Sequence, residues 1–420
     1  MRVSRAFSRL LRLDGIWVRQ VQFFADRVVV RVALRRRRLL CPLCSYTTPH
    51  RYNQQAVESV WRHLDLGVWR LELRAQLRRL ECPEHGVRVE GVPFARHRSG
   101  FTRDFEQLVA WLATKADKTT ICRLVRIDWD TVGRIIARVC ADELDPARLE
   151  NLFEIGVDEV SWKRQHNYLT LVADHIRGQI VWGTEGNNQA AADRFFKQIG
   201  KSRSHAIEVI SLDMGPGYAK SAREHAPQAI IAIDPFHVVA LANRALDEVR
   251  RDYWNELRRM GDQDTARRFK DARWSLLKKP ERLTDQQAQT LKRLKAAGGE
   301  VWRAYTLKEA LRAIFAPGLT LQDVTILIDR FISKALRSRL KPFARLAQTI
   351  RKHRDGILQA IRLDINQGRT EALNNKVRLI TRRAYGFHSA KAALALVLLT
   401  CGPITLHLPH ELHALTPGCH

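Results

Sequence analysis

Apolar and polar residues recur with different periods along this chain, and the changes of period mark out its parts. In the first hundred residues the signal is of strands. Val28 to Leu34 is nearly continuous in β-branched residues, and Leu71, Leu73, Ala75 and Leu77 alternate with Glu72, Arg74, Gln76 and Arg78. A period of two predicts a half-buried strand. Arg35 to Arg38 separates the first run from Cys41 and reads as a solvated turn, with a phosphate contact as the competing use. From Phe101 to about Asp142 the period becomes helical, with Phe105, Leu108, Val109 and Leu112 on one face. Asp145-Pro146 then breaks the pattern as a linker does.

Residues 152 to 240 predict a sheet with crossover helices. Three apolar runs, Phe153–Val160, Tyr168–Ala173 and Gln179–Trp182, lie close together and suggest an antiparallel meander. A helix follows, burying Ala191, Ala192, Phe195, Phe196 and Ile199. After it come a strand at Ile207 to Leu212, a helix around Tyr218 to His225 and a strand at Ala229 to Ile233. That alternation predicts parallel additions to the sheet. From Phe236 to about Leu363 the pattern is helical and basic. Leu246, Val249, Tyr253, Leu257 and Met260 form one stripe, with Arg250, Arg251, Arg258 and Arg259 mostly off it. The last helices run from about Arg369 to Cys401.

Composition narrows the function. The 420 residues hold 71 Lys and Arg against 44 Asp and Glu, a formal net charge of +27. An acidic small molecule does not account for such an excess; a polyanion does, and nucleic acid is the usual one. With 45% hydrophobic residues the chain is not disordered. Its longest apolar run, near Ala392 to Cys401, falls short of the roughly 18 residues a spanning helix needs. Arg9, Arg12 and Asp14 interrupt any signal-peptide core, so the expected location is cytoplasmic, on the bacterial nucleoid. In a reducing compartment the seven cysteines suit metal binding better than disulfides.

Two short motifs carry that reading. Cys41-Pro-Leu-Cys44 and Cys82-Pro-Glu-His85 are knuckles, one per expected hairpin, and together offer the four N/S ligands of a structural Zn²⁺. His50, His63 or His97 could stand in for His85. Lys118 to Val139 reads as a helix-turn-helix. Its short first helix carries Ile121 and Leu124, and its second turns Val132, Ile135, Ile136 and Val139 inward. Thr131, Arg134 and Arg138 are expected outward, the two arginines on DNA.

Carboxylates stand where a sheet would gather them. Asp158 lies in the first strand of IGVDEVSWK, Asp213 follows the strand of EVISLDMG, and Asp234 ends the strand of IIAIDPFH. Functional groups collect at strand C-termini in such sheets. Glu371 opens a helix in GRTEALNNKVRLITRRAYGF, with Leu373, Val377 and Ile380 as its buried face. Three carboxylates holding two Mg²⁺ suit phosphodiester chemistry. Trp162, Tyr168 and Tyr385 are candidates for stacking on bases, against a core role.

The segments IGVDEVSWKRQHNYLTLVAD, DPFHVV and NNKVRLITRRAYGFHS, with the CPLC and CPEH pair, resemble a DDE transposase of the ISL3 insertion-sequence family. The resemblance covers nearly the whole chain. It implies an α/β multidomain fold: a ribonuclease-H-like core with a helical insert, preceded by a zinc-binding β-rich region and a helix-turn-helix. The implied division is 1–99 zinc-binding, 100–145 helix-turn-helix, 146–240 core, 241–365 basic insert, 366–403 returning core helices and 404–420 tail. It implies Asp158, Asp213 and Glu371 as ligands of two Mg²⁺ (or Mn²⁺) ions, with Asp234 and His237 beside them. Where the family has glycine after the third acid, this chain has Ala372. The implied partners are terminal inverted repeats and target DNA, held by a dimer, with Lys376, Arg378, Arg382 and Arg383 on the backbone. Two other readings compete: a non-catalytic DNA-binding derivative, and a structure-selective nuclease on the same fold.

Overall fold

The computed structural model describes residues 2–163, 167–214, 216–363, 367–384 and 386–414, the side chains of 216, 367–371, 374 and 412–414 excepted. It forms two compact units, Pro146–Arg378, and Met1–Asp145 together with Leu379–His420. The first break falls at Asp145-Pro146. The second falls inside the helix Gln367–Arg383.

The larger unit is built on a five-stranded sheet. Its strands in chain order are Glu154–Lys163, Asn167–Asp174, Gln179–Glu185, Val209–Leu212 and Ile230–Ile233, and they lie in the order third, second, first, fourth, fifth. The first three pair antiparallel; the fourth and fifth add in parallel. Parallel neighbours need crossovers, and the helices Gln189–His205 and Pro216–His225 supply them. The meander and the parallel additions are therefore as the periodicity predicts. Val157, Ile210, Leu212, Phe195 and Phe196 are among the residues of a core that runs on into the helical segment.

That segment begins with Pro235–Arg259, whose N-terminus is capped by the Asp234 side chain through the Phe236 N–H. Leu246, Val249 and Leu257 are buried as the stripe predicts, but Met260 is 71% exposed and Arg250 is only 6% exposed. Arg250 was expected off the stripe. It is buried because its guanidinium lies 2.8 Å from the Asp247 carboxylate and donates to the Phe269 carbonyl. The helix Arg354–Arg362 lies against the fifth strand, which Gly356 permits: a Cβ there would stand 2.8 Å from Ile233 Cγ1.

In the other unit Ile16–Phe23, Arg27–Leu34, Trp69–Ala75 and Ser59–Leu66 form a four-stranded sheet in that order. Val28, Val30, Leu71 and Leu73 face a core closed by Phe7 and Leu11 of the helix Val3–Leu11. The basic run is an exposed turn, as expected, whose side chains are also tied to the fold. Arg35 donates to the Ile16 carbonyl and lies over the Trp17 ring, and Arg36 and Arg38 donate to the Gly91 and Thr47 carbonyls. Ala390–Cys401, expected among the core helices of 366–403, instead packs on Trp129–Glu143 within this unit.

Candidate functional site

Strand register brings three carboxylates into a row. Val157 pairs with Leu212, and Leu212 with Ile233, across three adjacent parallel strands. One residue further along each stand Asp158, Asp213 and Asp234, and residues at one level of a sheet share a face. All three line one cavity, with His237 and Leu373. Each carboxylate accepts a backbone N–H: Asp158 from Glu159 at 2.7 Å, Asp213 from Met214 at 2.5 Å and Asp234 from Phe236 at 2.8 Å. The His237 ring sits between two of them, Nδ1 3.5 Å from Asp213 and Nε2 3.9 Å from Asp234. Burial pushes the Asp234 carboxyl up. The Phe236 N–H and His237 oppose this, and the charges of Asp158 and Asp213 add to it. Among the described residues no Lys or Arg pairs with Asp213 or Asp234. Concentrated negative charge with hard oxygen donors fits a divalent cation such as Mg²⁺. The Glu371 side chain lies outside the described residues. Its helix buries Leu373, Val377 and Ile380 as expected, and Leu373, two residues on, reaches the cavity.

The four expected zinc ligands also meet. Cys41 and Cys44 sit between the short strands Leu39–Leu40 and Thr47–Thr48; Cys82 and His85 sit at the turn joining Arg78–Cys82 to Gly86–Val89. Their donor atoms all lie within 4.8 Å of one another. Cys44 Sγ is 3.7 Å from Cys82 Sγ, and His85 Nδ1 is 3.6 Å from Cys82 Sγ and 3.8 Å from Cys41 Sγ. A tetrahedral Zn²⁺ would set S–S and S–N edges of about 3.8 and about 3.6 Å from its bond lengths, so the donor set fits the ion. Burial alone would raise the Cys82 thiol; hydrogen bonds from the His85 ring and the His85 and Glu84 backbones bring it down to about 6. The Tyr46 backbone favours a Cys44 thiolate, but burial and the neighbouring Cys41 and Cys82 push that thiol up to about 11. Several thiolates cannot share this space without a cation between them. His63 is engaged elsewhere, on Thr102 at 2.8 Å.

The helix-turn-helix comprises Lys118–Val125 and Trp129–Glu143. Asp117 and Asp128 cap the two helices, and Arg126 takes the left-handed turn between them with φ 56°. Ile121, Val125, Val132, Ile135, Ile136 and Val139 are buried. The first helix carries Ile121 and Leu124 as expected, with Leu124 62% exposed. Two expectations need correction. Thr131 is buried because Asp128 holds both its amide and its hydroxyl. Arg138 turns inward onto Glu106, a fully buried carboxylate that Arg96 also binds at 3.1 Å. Arg134 alone of the three faces out.

Comparison with known sequences accords with both halves. A family described as transposase matches residues 155–396, and the helix-turn-helix domain of transposase family ISL3 matches 90–140. The chain belongs to the ISL3 transposase family. It is 40% identical to the transposase for insertion sequence element IS1557 of Mycobacterium tuberculosis (strain H37Rv), over 95% of this chain and 96% of that one. It is 29% identical to the transposase for IS1001 of Bordetella parapertussis, over 83% and 85%.

In this ISL3 transposase the other expected DNA contacts divide. Lys376, Arg378 and Arg382 are exposed, while Arg383 is half-buried and donates to the Ala113 carbonyl at 3.3 Å. Trp162 is buried, Tyr168 half-buried, and Tyr385 lies outside the described residues. Sequence reasoning missed the network of Arg96, Glu106, Asp142 and Glu143 that ties the helix-turn-helix together. It also missed His175, whose Nε2 lies 2.7 Å from Ser211 Oγ beneath the acid row. Neither has a local motif; each is assembled from distant segments. Among the described residues no helix is long and apolar enough to cross a membrane.

Proposed function

We propose that this chain is a DNA transposase that binds the terminal inverted repeats of its insertion element, cleaves there and joins the freed ends to target DNA. The row of Asp158, Asp213 and Asp234 over one cavity carries the proposal. The strand order third-second-first-fourth-fifth, antiparallel then parallel, supports a ribonuclease-H-like core. Asp158 and Asp213, with Glu371 assigned from the family motif, would hold two Mg²⁺ or Mn²⁺ ions. Such ions activate a water or 3′-hydroxyl and stabilise the leaving oxygen. His237 holds Asp213 and Asp234 in place from between them. Asp234, which caps a long helix, is the reserve ligand should Asp213 fail.

Functionally the chain divides into a zinc-binding region over 1–99, a reading module of 100–145, and a core over 146–240 completed by the helix that carries Glu371. The basic insert spans 241–365, and 404–420 is a tail. Cys41, Cys44, Cys82 and His85 would hold a structural Zn²⁺. Arg134 would read or grip the ends, with Lys376, Arg378 and Arg382 on the backbone. Two ends must be held together, which a homodimer in the cytoplasm, at the nucleoid, would do.

The test is strand transfer in Mg²⁺ with donor DNA taken from the flanks of the gene, using the wild type, Asp213→Asn and Glu371→Gln. Joined products from the wild type alone are expected. End binding without cleavage in either metal would favour a non-catalytic derivative. Cleavage without joining would favour a nuclease, and cleavage surviving both substitutions would place the site elsewhere.

A further inference from the structure

A groove beside the outward face of Trp129–Glu143 is lined from two ends of the sequence. Lys118 and Arg134 come from the helix-turn-helix; His388, Ser389 and Lys391 come from the segment that follows the Glu371 helix. The Lys118 amine lies 3.6 Å from the centre of the Trp129 ring, whose other neighbour is the His388 ring at 6.0 Å. Gly133 leaves it room, since a Cβ there would stand 3.0 Å from Lys118 Nζ. Two acids also line the groove. Asp128 spends its oxygens on the Thr131 amide and hydroxyl, and Asp130 lies in the first turn near Lys118.

The groove's cations sit near carboxylates without closing an ion pair: the Asp130 charge acts on Lys118, and the Asp128 and Arg134 charges act on each other. Arg62, Arg96, Arg103, Arg126 and Arg138 of the same unit all lie within ion-pair distance of an Asp or Glu. Among the described residues Lys118, Arg134 and Lys391 do not. Lys391 is exposed, and Arg134 is exposed with its guanidinium steadied by the Thr131 hydroxyl at 2.7 Å. Cations that close no ion pair, on the face that meets a duplex, are placed for phosphates.

We propose that Lys391, with Lys118 and Arg134, forms a phosphate clamp that grips the DNA backbone beside the groove entered by Trp129–Glu143. The clamp is thus shared between the helix-turn-helix and the C-terminal helix Ala390–Cys401. It rests on the reading that the helix-turn-helix binds duplex DNA, and it adds a contact that no N-terminal segment supplies alone.

The experiment is equilibrium binding of the full chain across a KCl series, to a duplex from the gene's flank and to a random duplex. Each phosphate neutralised contributes about 0.9 to the slope of log K against log salt. Lys391→Ala should flatten the slope by about that much on both duplexes, and Lys391→Arg should restore it. An unchanged slope in Lys391→Ala overturns the clamp. So does a flattening that Lys391→Arg leaves in place, because that marks packing and not charge. If the wild type does not prefer the flank duplex, the reading of end recognition fails, and the random duplex still decides the clamp. No binding to either duplex overturns both.

Discussion

Gly156 shows how one missing side chain supports the acid row. It stands two residues before Asp158, and a Cβ there would lie 2.7 Å from the ring atoms Cε1 and Nε2 of His175. The imidazole needs that space to reach Ser211 on the neighbouring strand. Gly156→Ala must therefore move a buried ring or the strand that bears Asp158. It should cost about 1–3 kcal/mol, the usual range for overpacking, read as a lower denaturation midpoint. Adding His175→Ser should recover part of the loss, and no recovery would refute the contact. The same histidine gives a pH dependence. Burial holds its pKa below the ordinary 6.5, opposed by the Asp174 charge. In the unfolded chain it takes a proton near pH 6.5 that the native chain refuses. Its share of stability is thus complete above that pH and is lost as the pH falls below it. His175→Gln should flatten the stability profile on the acid side of 6.5, and parallel profiles would exclude this role.

At the scale of elements, the helix-turn-helix holds together through charge as much as through its apolar face. Glu106 of Arg103–Ala113 is fully buried between Arg96 and Arg138. Removing it takes one of three carboxylates from Arg96 and leaves Arg138 only the Ser99 hydroxyl, so the loss approaches, at most, the roughly 3–5 kcal/mol of a broken buried pair. Glu106→Ala should therefore unfold the module at much lower denaturant. Arg138→Ala should lower its melting temperature without changing the salt slope of DNA binding, whereas Arg134→Ala should change the slope and leave the melting temperature. The reverse pattern would return Arg138 to the DNA. This exchange marks the limit of what the sequence showed. The helical period placed Val132, Ile135, Ile136 and Val139 inward correctly, and the alternation of strands and helices found every strand of the larger sheet. The acid row was legible too, because each acid ends or interrupts an apolar strand run. Arg138 and Arg250 were not, because a period says which face a residue occupies and not whether a distant carboxylate waits there. The knuckles were legible because proline and cysteine at short spacing leave few other uses. Zinc content should be one ion per chain by mass spectrometry, falling in Cys82→Ser with loss of order in Leu39–Leu40 and Thr47–Thr48. A metal-free chain of unchanged stability would refute a structural role.

Across the whole molecule, the unit that holds the helix-turn-helix is made from both ends of the sequence. The helix Ala390–Cys401 buries Ala393, Leu396, Val397, Leu398, Leu399 and Cys401. It lies on Trp129–Glu143, so part of the helix-turn-helix's apolar surface is covered by residues encoded after the Glu371 helix. A buried leucine or valine contributes about 1.5–3 kcal/mol relative to exposure, and several are lost together if the chain stops at residue 386. Such a truncated chain should lose end binding even though Lys118 to Glu143 is intact. Its unit of zinc knuckles and helix-turn-helix should melt at lower temperature, while Pro146–Arg378 melts as before. Supplying residues 386–414 as a separate peptide should restore binding in proportion to its concentration. If the truncated chain binds the flank duplex as the full chain does, the helix-turn-helix is complete in the N-terminal segment and the C-terminal helix serves another purpose. If both units lose stability together, the C-terminal helix supports the chain as a whole. The expected outcome makes DNA binding depend on a helix from the far end of the sequence: a chain that stops after Gln367–Arg383 but before residue 390 would carry the acid row without a complete helix-turn-helix unit.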